Sequence, residues 1–160
     1  MSIFCVDDIG VKYANHLWKL DKIKKENPTF KVTAFIVAEG LTPEIIEWLK
    51  QDWIEVGIHC WNHTAPPEGE CNDFEERTKK ALSVLKPLMN RIIYRFAGFQ
   101  ATAKCYPVLK RLKIEAIVHQ NRIQLLQEKR IIEVNLVNKH IYDGFKNIPN
   151  GKFHFISAIM

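Results

Sequence analysis

Short runs of β-branched and other apolar residues alternate with amphipathic segments along this chain, and that alternation limits its fold more than any other feature. It is typical of an α/β protein with a mostly parallel sheet. About seven strands are predicted, which fits either a small, incomplete barrel or an open doubly wound sheet. The predicted strands are 3–6, 32–37, 54–58, 91–94, 116–118, 131–136 and 153–159.

Helices are predicted between the early strands from apolar spacing and from capping signals. Tyr13, Leu17 and Leu20 recur on one face of a helix over 13–26, which an Asn-Pro pair closes. Thr42 followed by proline predicts an N-cap and a helix over 43–51. A capping box at 72–75 predicts the next helix, and 102–112 the last.

Length and composition favour one globular domain over residues 1–160. The chain has 160 residues, with 47% hydrophobic and 26% charged, which excludes intrinsic disorder. No apolar run approaches the roughly 20 residues of a membrane span, and the start lacks the features of a signal peptide. The four cysteines form no CxxC pair. We therefore expect reduced thiols and a cytoplasmic location. The abrupt finish at Met160 suggests a truncated C-terminus that lacks a terminal helix.

The formal charge is +5, and no nucleic-acid motif accompanies it. The lysines and arginines are spread through helical segments, which is the pattern of solvated helix faces. A preference for acidic or cell-wall glycans is the alternative, because a basic surface concentrates an anionic partner.

Polar residues able to bind metal or move protons follow three of the predicted strands. Asp7 and Asp8 follow the first strand, His59 and His63 the third, and Arg95 the fourth. Ligands of parallel α/β folds bind at the carboxyl ends of the strands, so these side chains are expected to share one mouth.

A metal site is the interpretation that joins these residues. Adjacent aspartates at the end of a buried strand repel each other unless a cation lies beside them, and two histidines four residues apart can converge on one metal. Cys60 stands where zincin metalloproteases have glutamate, so that chemistry is excluded. The alternatives are carboxylates that cap a helix or hydrogen-bond to a loop, for Asp7 and Asp8, and two exposed loop histidines, for His59 and His63.

Three ordered motifs resemble those of the polysaccharide deacetylases, also called carbohydrate esterase family 4 or the NodB-homology domain. Cys5-Val6-Asp7-Asp8 resembles the family's T-F-D-D motif, and the segment from His59 to His63 resembles H-[ST]-x-x-H. Arg95-Phe96-Ala97-Gly98-Phe99 is similar to R-x-P-G-[FY]. The resemblance spans roughly residues 3–112 and implies a deformed (β/α) barrel.

The resemblance also implies roles for single residues. Asp8, His59 and His63 would hold a divalent metal, with Zn²⁺ expected and Co²⁺, Ni²⁺, Mn²⁺ or Fe²⁺ as alternatives. Asp7 would be the general base and Arg95 would orient it. The substrate implied is an N-acetylated glycan, from which the enzyme removes acetyl groups.

The remaining roles rest on fewer residues. A backbone N–H near Phe96 or Ala97 is expected to hold the oxyanion. His154 is the candidate for the acid that protonates the departing amine, although a histidine between two phenylalanines is also typical of a core or edge position. Ala97 and Cys60 depart from the family pattern.

Three other functions compete with the deacetylase. A signalling receiver domain would explain Asp7 and Asp8, but it needs an aspartate after the third strand, where His59 stands. A glycan-binding member of the fold with impaired catalysis is the second. The third is an amide hydrolase acting on a cyclic imide or ureide.

Overall fold

The computed structural model describes residues 2–10, 15–146, 148 and 151–160. Within them the chain forms eight strands and four α-helices. The strands are β1 (Ser2–Ile9), β2 (Val32–Val37), β3 (Ile54–Cys60), β4 (Ile93–Tyr94), β5 (Ala116–Val118), β6 (Arg122–Leu125), β7 (Arg130–Glu133) and β8 (Asn135–His140). The helices are α1 (Trp18–Glu26), α2 (Pro43–Leu49), α3 (Phe74–Leu85) and α4 (Cys105–Arg111).

All eight strands belong to one sheet in the order β7-β6-β5-β4-β3-β2-β1-β8. The five neighbouring pairs β5–β4, β4–β3, β3–β2, β2–β1 and β1–β8 are parallel. β6 runs antiparallel to both of its neighbours, β5 and β7. The sheet curls into a nearly closed barrel. Asn138 Nδ2 of β8 donates to the Gln120 carbonyl at 2.7 Å, which links this edge strand to the loop between β5 and β6. The deformed barrel is confirmed, and the open sheet is wrong.

The alternation along the strands sorts their side chains between two cores. Phe4 and Val6 of β1 face the helices, while Ile3 and Cys5 face the barrel interior. Each face buries its own apolar cluster, so the strands read as nearly continuous apolar runs.

The amino end of the barrel is closed by the C-terminal segment. Phe153 forms a parallel bridge with Ser2, and a 3₁₀ turn follows at Ile156–Ala158. The buried carboxylate of Glu55 accepts hydrogen bonds from the backbone N–H groups of Ile156 and Ser157, at 2.8 and 3.1 Å. The predicted strand over 153–159 is therefore wrong, because these N–H groups bond to a side chain.

Several predicted elements differ in their bounds. The predicted strand over 131–136 is two strands, β7 and β8, separated at Val134, and β6 was not predicted. The capping box is wrong, because the Asp73 carboxylate pairs with Arg77 at 2.9 Å and makes no cap hydrogen bond. The Thr42 cap of α2 is confirmed by its bond from Ile45 N at 3.3 Å. Tyr13, predicted at the start of α1, lies outside the described residues.

No helix in the described ranges is long and apolar enough to cross a membrane.

Candidate metal centre

Three of the predicted ligands meet at the carboxyl ends of β1 and β3. Asp8 Oδ1 lies 3.2 Å from His59 Nε2 and 3.4 Å from His63 Nε2. One ligand atom from each residue falls within 4.8 Å of the others. Asp8 and His59 are buried, whereas the His63 side chain is 49% exposed. The cluster is thus anchored in the protein and open on one side.

A bulge in β1 brings Asp7 and Asp8 to the same rim. Val6 pairs with Ala34 and Ile9 with Ile36, so two residues of β1 face one of β2. Asp8 has a φ of 66°, in the left-handed region that aspartate tolerates better than most residues. Adjacent residues of a regular strand point to opposite faces of the sheet. The bulge and the left-handed backbone at Asp8 interrupt this alternation, so both carboxylates lie at the same rim.

The electrostatics of Asp8 favour its ionised form. Burial opposes ionisation, but the nearby imidazoles of His59, His140 and His63 outweigh burial and lower the pKa of Asp8 to about 2. Oδ1 nevertheless has no hydrogen-bond partner within the described chain, because the two imidazoles approach off the hydrogen-bond direction. A buried anionic oxygen left in this state suits a cation.

His59 is oriented as a metal ligand. Its Nδ1 lies 3.0 Å from the carbonyl oxygen of Arg95, which can only accept, so Nδ1 carries the proton. The lone pair then resides on Nε2, which faces Asp8. A ligand histidine held through its other nitrogen in this way is typical of protein metal sites. Two imidazoles and one carboxylate suit Zn²⁺ and related divalent ions, and leave positions for water and substrate.

Asp7 and Arg95 form a buried ion pair beside the cluster. Arg95 Nη1 donates to Asp7 Oδ1 at 3.0 Å, and neither side chain is more than 4% exposed. The guanidinium lies over the rings of Phe35 and Phe99, with Cζ 4.2 and 5.3 Å from their centroids. Nε and Nη2 have no partner among the described residues. Packing thus fixes the cation, and the cation fixes Asp7.

His140 is the site residue that sequence reasoning missed. It ends β8, which pairs directly with β1, and its Nδ1 lies 2.8 Å from Asp8 Oδ2. Its ring stacks on Tyr142 with centroids 5.2 Å apart and planes 8° from parallel. The signal that could have found it is its place at the end of a strand, which is the kind of position that also identified Asp8 and His59.

His154 is not brought to this cluster. Its side chain is exposed and its backbone N–H donates to the Ser2 carbonyl at 3.1 Å, at the amino end of β1. Asp8 lies six residues further along, about 20 Å of strand. The expectation that His154 faces the reaction as its acid is therefore not met by its position.

Phe96 and Ala97 follow Arg95 directly, at the rim beside the cluster. The Phe96 ring packs inward against Phe74 and Tyr94, with centroids 5.8 and 4.9 Å away. A tight turn over Ala97–Phe99 follows, in which Gly98 has a φ of 60°. Any oxyanion contact from these residues would come from their backbone.

No sequence-family model and no curated protein matches this chain. Solved structures do resemble it. A family 4 acetyl xylan esterase from Clostridium thermocellum, solved with a cobalt ion, matches at 18% identity and a TM-score of 0.50, covering 67% of this chain and 53% of its own.

Two further structures match more of the fold. A pseudoenzyme of carbohydrate esterase family 4 from Bacillus anthracis covers 88% of this chain and 54% of its own, at 13% identity and a TM-score of 0.59. A mutant of that pseudoenzyme with restored enzymatic activity covers 89% and 57%, at 17% identity and a TM-score of 0.60. These likenesses confirm the fold that the motifs predict. The chain spans about half the length of the structures it matches.

Proposed function

This chain has the fold of carbohydrate esterase family 4, and we propose that it is a metal-dependent hydrolase that removes N-acetyl groups from a polysaccharide or oligosaccharide. The observation that carries the proposal is the convergence of Asp8, His59 and His63 beside the buried Asp7–Arg95 pair. A ligand set with open positions next to an oriented carboxylate is what metal-assisted hydrolysis needs. We take residues 1–160 to be a single catalytic domain.

The residues proposed to hold the metal are Asp8, His59 and His63. When bound there, Zn²⁺ would supply Lewis acidity at the acetyl carbonyl and activate a water molecule. Co²⁺, Ni²⁺, Mn²⁺ and Fe²⁺ suit the same mixed nitrogen and oxygen donors, so the metal is a matter for measurement.

Asp7 is proposed as the general base. Arg95 holds one of its carboxylate oxygens at 3.0 Å, which fixes the direction of the other oxygen, the one proposed to accept a proton from water. Backbone N–H groups of Phe96 or Ala97 are proposed to stabilise the oxyanion. These donors directly follow Arg95 in the chain. The same short segment therefore positions both the general base and the oxyanion contacts.

His140 is proposed as the acid that protonates the departing amine, in place of His154. Its imidazole is 44% exposed at the mouth, where a substrate nitrogen could reach it. Asp8 Oδ2 and the Tyr142 ring hold its orientation. Asp7 and His140 both lie beside Asp8, so the proposed base and the proposed acid border the same ligand cluster.

The test is acetate release from N-acetylglucosamine oligomers by the metal-free protein, before and after Zn²⁺ or Co²⁺ is added. We expect release only with metal, and its loss in Asp7→Asn. Binding of the oligomer without acetate release under any metal would overturn the proposal in favour of a glycan-binding protein. Turnover of a cyclic imide or ureide alone would identify the other amide hydrolase. Neutral and carboxylated oligomers, compared side by side, test the preference for acidic glycans.

A further inference from the structure

The short segment between the two histidine ligands is held from outside at its backbone. The carbonyl of Cys60 accepts from Ala38 N at 3.0 Å, and the carbonyl of Trp61 accepts from Glu39 N at 2.7 Å. Both donors lie directly after β2, so the sheet itself supports one side of the segment. The side chain of Asn62 is held on the other side, where its Oδ1 accepts from Arg77 Nη1 at 2.8 Å.

The backbone N–H of Trp61 is held by a buried carboxylate. Its partner is Glu68 Oε2 at 2.7 Å, and Glu68 is only 2% exposed. The other oxygen, Oε1, has no hydrogen-bond partner within the described residues. Burial raises the pKa of Glu68 to about 7, against the Trp61 N–H and the charge of Arg77, which lower it. A carboxyl kept here despite the cost of burial performs a task that an apolar side chain could not.

The turn that carries Glu68 is itself anchored. The carbonyl of Gly69 accepts from Thr102 Oγ1 at 2.9 Å and Cys105 Sγ at 3.2 Å. The carbonyl of Glu70 accepts from Lys104 Nζ at 2.7 Å. A Cβ on Gly69 would lie 3.1 Å from the Gln100 carbonyl, so the turn packs closely against the start of α4. Glu68 thus transmits a fixed position to Trp61.

His63 depends on this support more than His59 does. The His59 ring is held by the Arg95 carbonyl, whereas the half-exposed His63 ring has no hydrogen bond within the described part of the chain. Its position is therefore set by the backbone that leads to it. That backbone includes the N–H that Glu68 holds.

We propose that Glu68 is a positioning residue for the metal site, whose carboxyl oxygen fixes the Trp61 backbone and through it His63. The inference rests on the proposed function, because it assumes that these histidines bind a metal. Its physical content is separate: one hydrogen-bond acceptor in a buried position controls the geometry of an exposed ligand. Residues that orient metal ligands in this way change affinity without touching the ion.

The experiment is titration of the metal-free protein with Zn²⁺ against a competing chelator. Glu68→Ala is expected to weaken Zn²⁺ binding by about 10- to 100-fold. Glu68→Gln keeps an oxygen that accepts the same N–H, and is expected to retain wild-type affinity. Glu70→Ala, an exposed position in the same turn, is the matched control and should bind like wild type. Should Glu68→Ala not fold, the shorter Glu68→Asp takes its place.

The outcomes separate the two proposals. Equal Zn²⁺ affinity in wild type and Glu68→Ala overturns the positioning role and leaves the proposed function standing. A Glu68→Gln variant as weak as Glu68→Ala also overturns it, because the acceptor would then be irrelevant. A wild-type protein that binds no metal overturns the proposed function. In that case amide hydrogen exchange at Trp61 in the metal-free protein still tests the hydrogen bond to Glu68. An exchange rate in Glu68→Ala equal to that of wild type would overturn the positioning role as well.

Discussion

His140 Nδ1 lies 2.8 Å from Asp8 Oδ2, although 132 positions separate the two residues in the chain. The neighbouring strands β8 and β1 bring them together. The other oxygen of the same carboxylate faces His59 and His63. One side chain therefore divides the site, with the candidate metal ligands on Oδ1 and the candidate acid on Oδ2.

This division predicts that acid and metal binding can be separated by mutation. His140→Ala should lower the rate of acetate release at saturating Zn²⁺ by about 100-fold, a loss beyond any weakening of Zn²⁺ binding through Asp8. His154→Ala is the matched control, because that histidine is exposed at the other end of the barrel and should leave the rate unchanged. Loss of activity in His154→Ala and not in His140→Ala would reverse the assignment.

Replacing Asp8 should abolish metal binding with little change in charge elsewhere. Asp8→Asn removes the anionic oxygen on which both histidines converge, so Zn²⁺ affinity should fall by more than about 100-fold, beyond the loss from a supporting residue. Asp52→Asn, at an exposed position, is the control. Calorimetric titration measures both, and tight Zn²⁺ binding by Asp8→Asn would place the metal elsewhere.

The Asp7–Arg95 pair should behave as a buried ion pair in unfolding experiments. Arg95→Met leaves Asp7 buried without its cation and should lower the free energy of unfolding by about 3–5 kcal/mol. Adding Asp7→Asn removes the stranded charge, so the double variant should regain much of the loss. Urea unfolding measures both, with the exposed Arg122→Met as control. A double variant no more stable than Arg95→Met would contradict the pairing.

Glu68 should make stability depend on pH in a defined window. Its pKa is raised from 4.5 unfolded to about 7 folded, so its contribution is fully present below pH 4.5 and is lost as pH rises through 7. The difference amounts to about 3 kcal/mol. Glu68→Gln should remove this slope from the free energy of unfolding of the metal-free protein between pH 4 and 8. Parallel profiles for the two proteins would contradict the shift.

Gly57 is required by packing inside the barrel. A Cβ at this position would lie 2.6 Å from the Phe35 ring and 3.0 Å from Ile93. Gly57→Ala should therefore cost about 1–3 kcal/mol of unfolding free energy, and Phe35→Leu should recover part of it. Gly144→Ala, where only the Lys146 side chain lies within 4 Å, serves as control. A Gly57→Ala protein as stable as wild type would show that the ring can move aside.

The sequence was most informative where buried parallel strands end in polar residues. Asp7, Asp8, His59 and Arg95 each follow an apolar run, and the parallel order of β1 to β4 brings them to one rim. Strand ends could be read because central strands of a parallel sheet are apolar on both faces, which makes them distinct in any sequence.

The same reasoning failed at the edge of the sheet. β8 pairs only with β1 among the described strands, and from Leu136 to His140 it is half-buried, so its sequence lacks a continuous apolar run. In the sequence, β7 and the start of β8 were predicted as one strand over 131–136. The end of β8 at His140 was therefore not recognised. Phe153 and Ile156 gave the opposite error, since these buried apolar residues mimic a strand although one packs in the helix-side core and the other in the barrel interior.

At Asp8, the residue that suits the left-handed backbone best is not the residue that can bind a metal. A glycine would adopt a φ of 66° without strain and would remove an unpaired buried oxygen, yet it would also delete the ligand. Selection for heat resistance alone would therefore favour Asp8→Gly and discard the site. Retention of aspartate in a thermostabilised lineage would be a record of selection for chemistry.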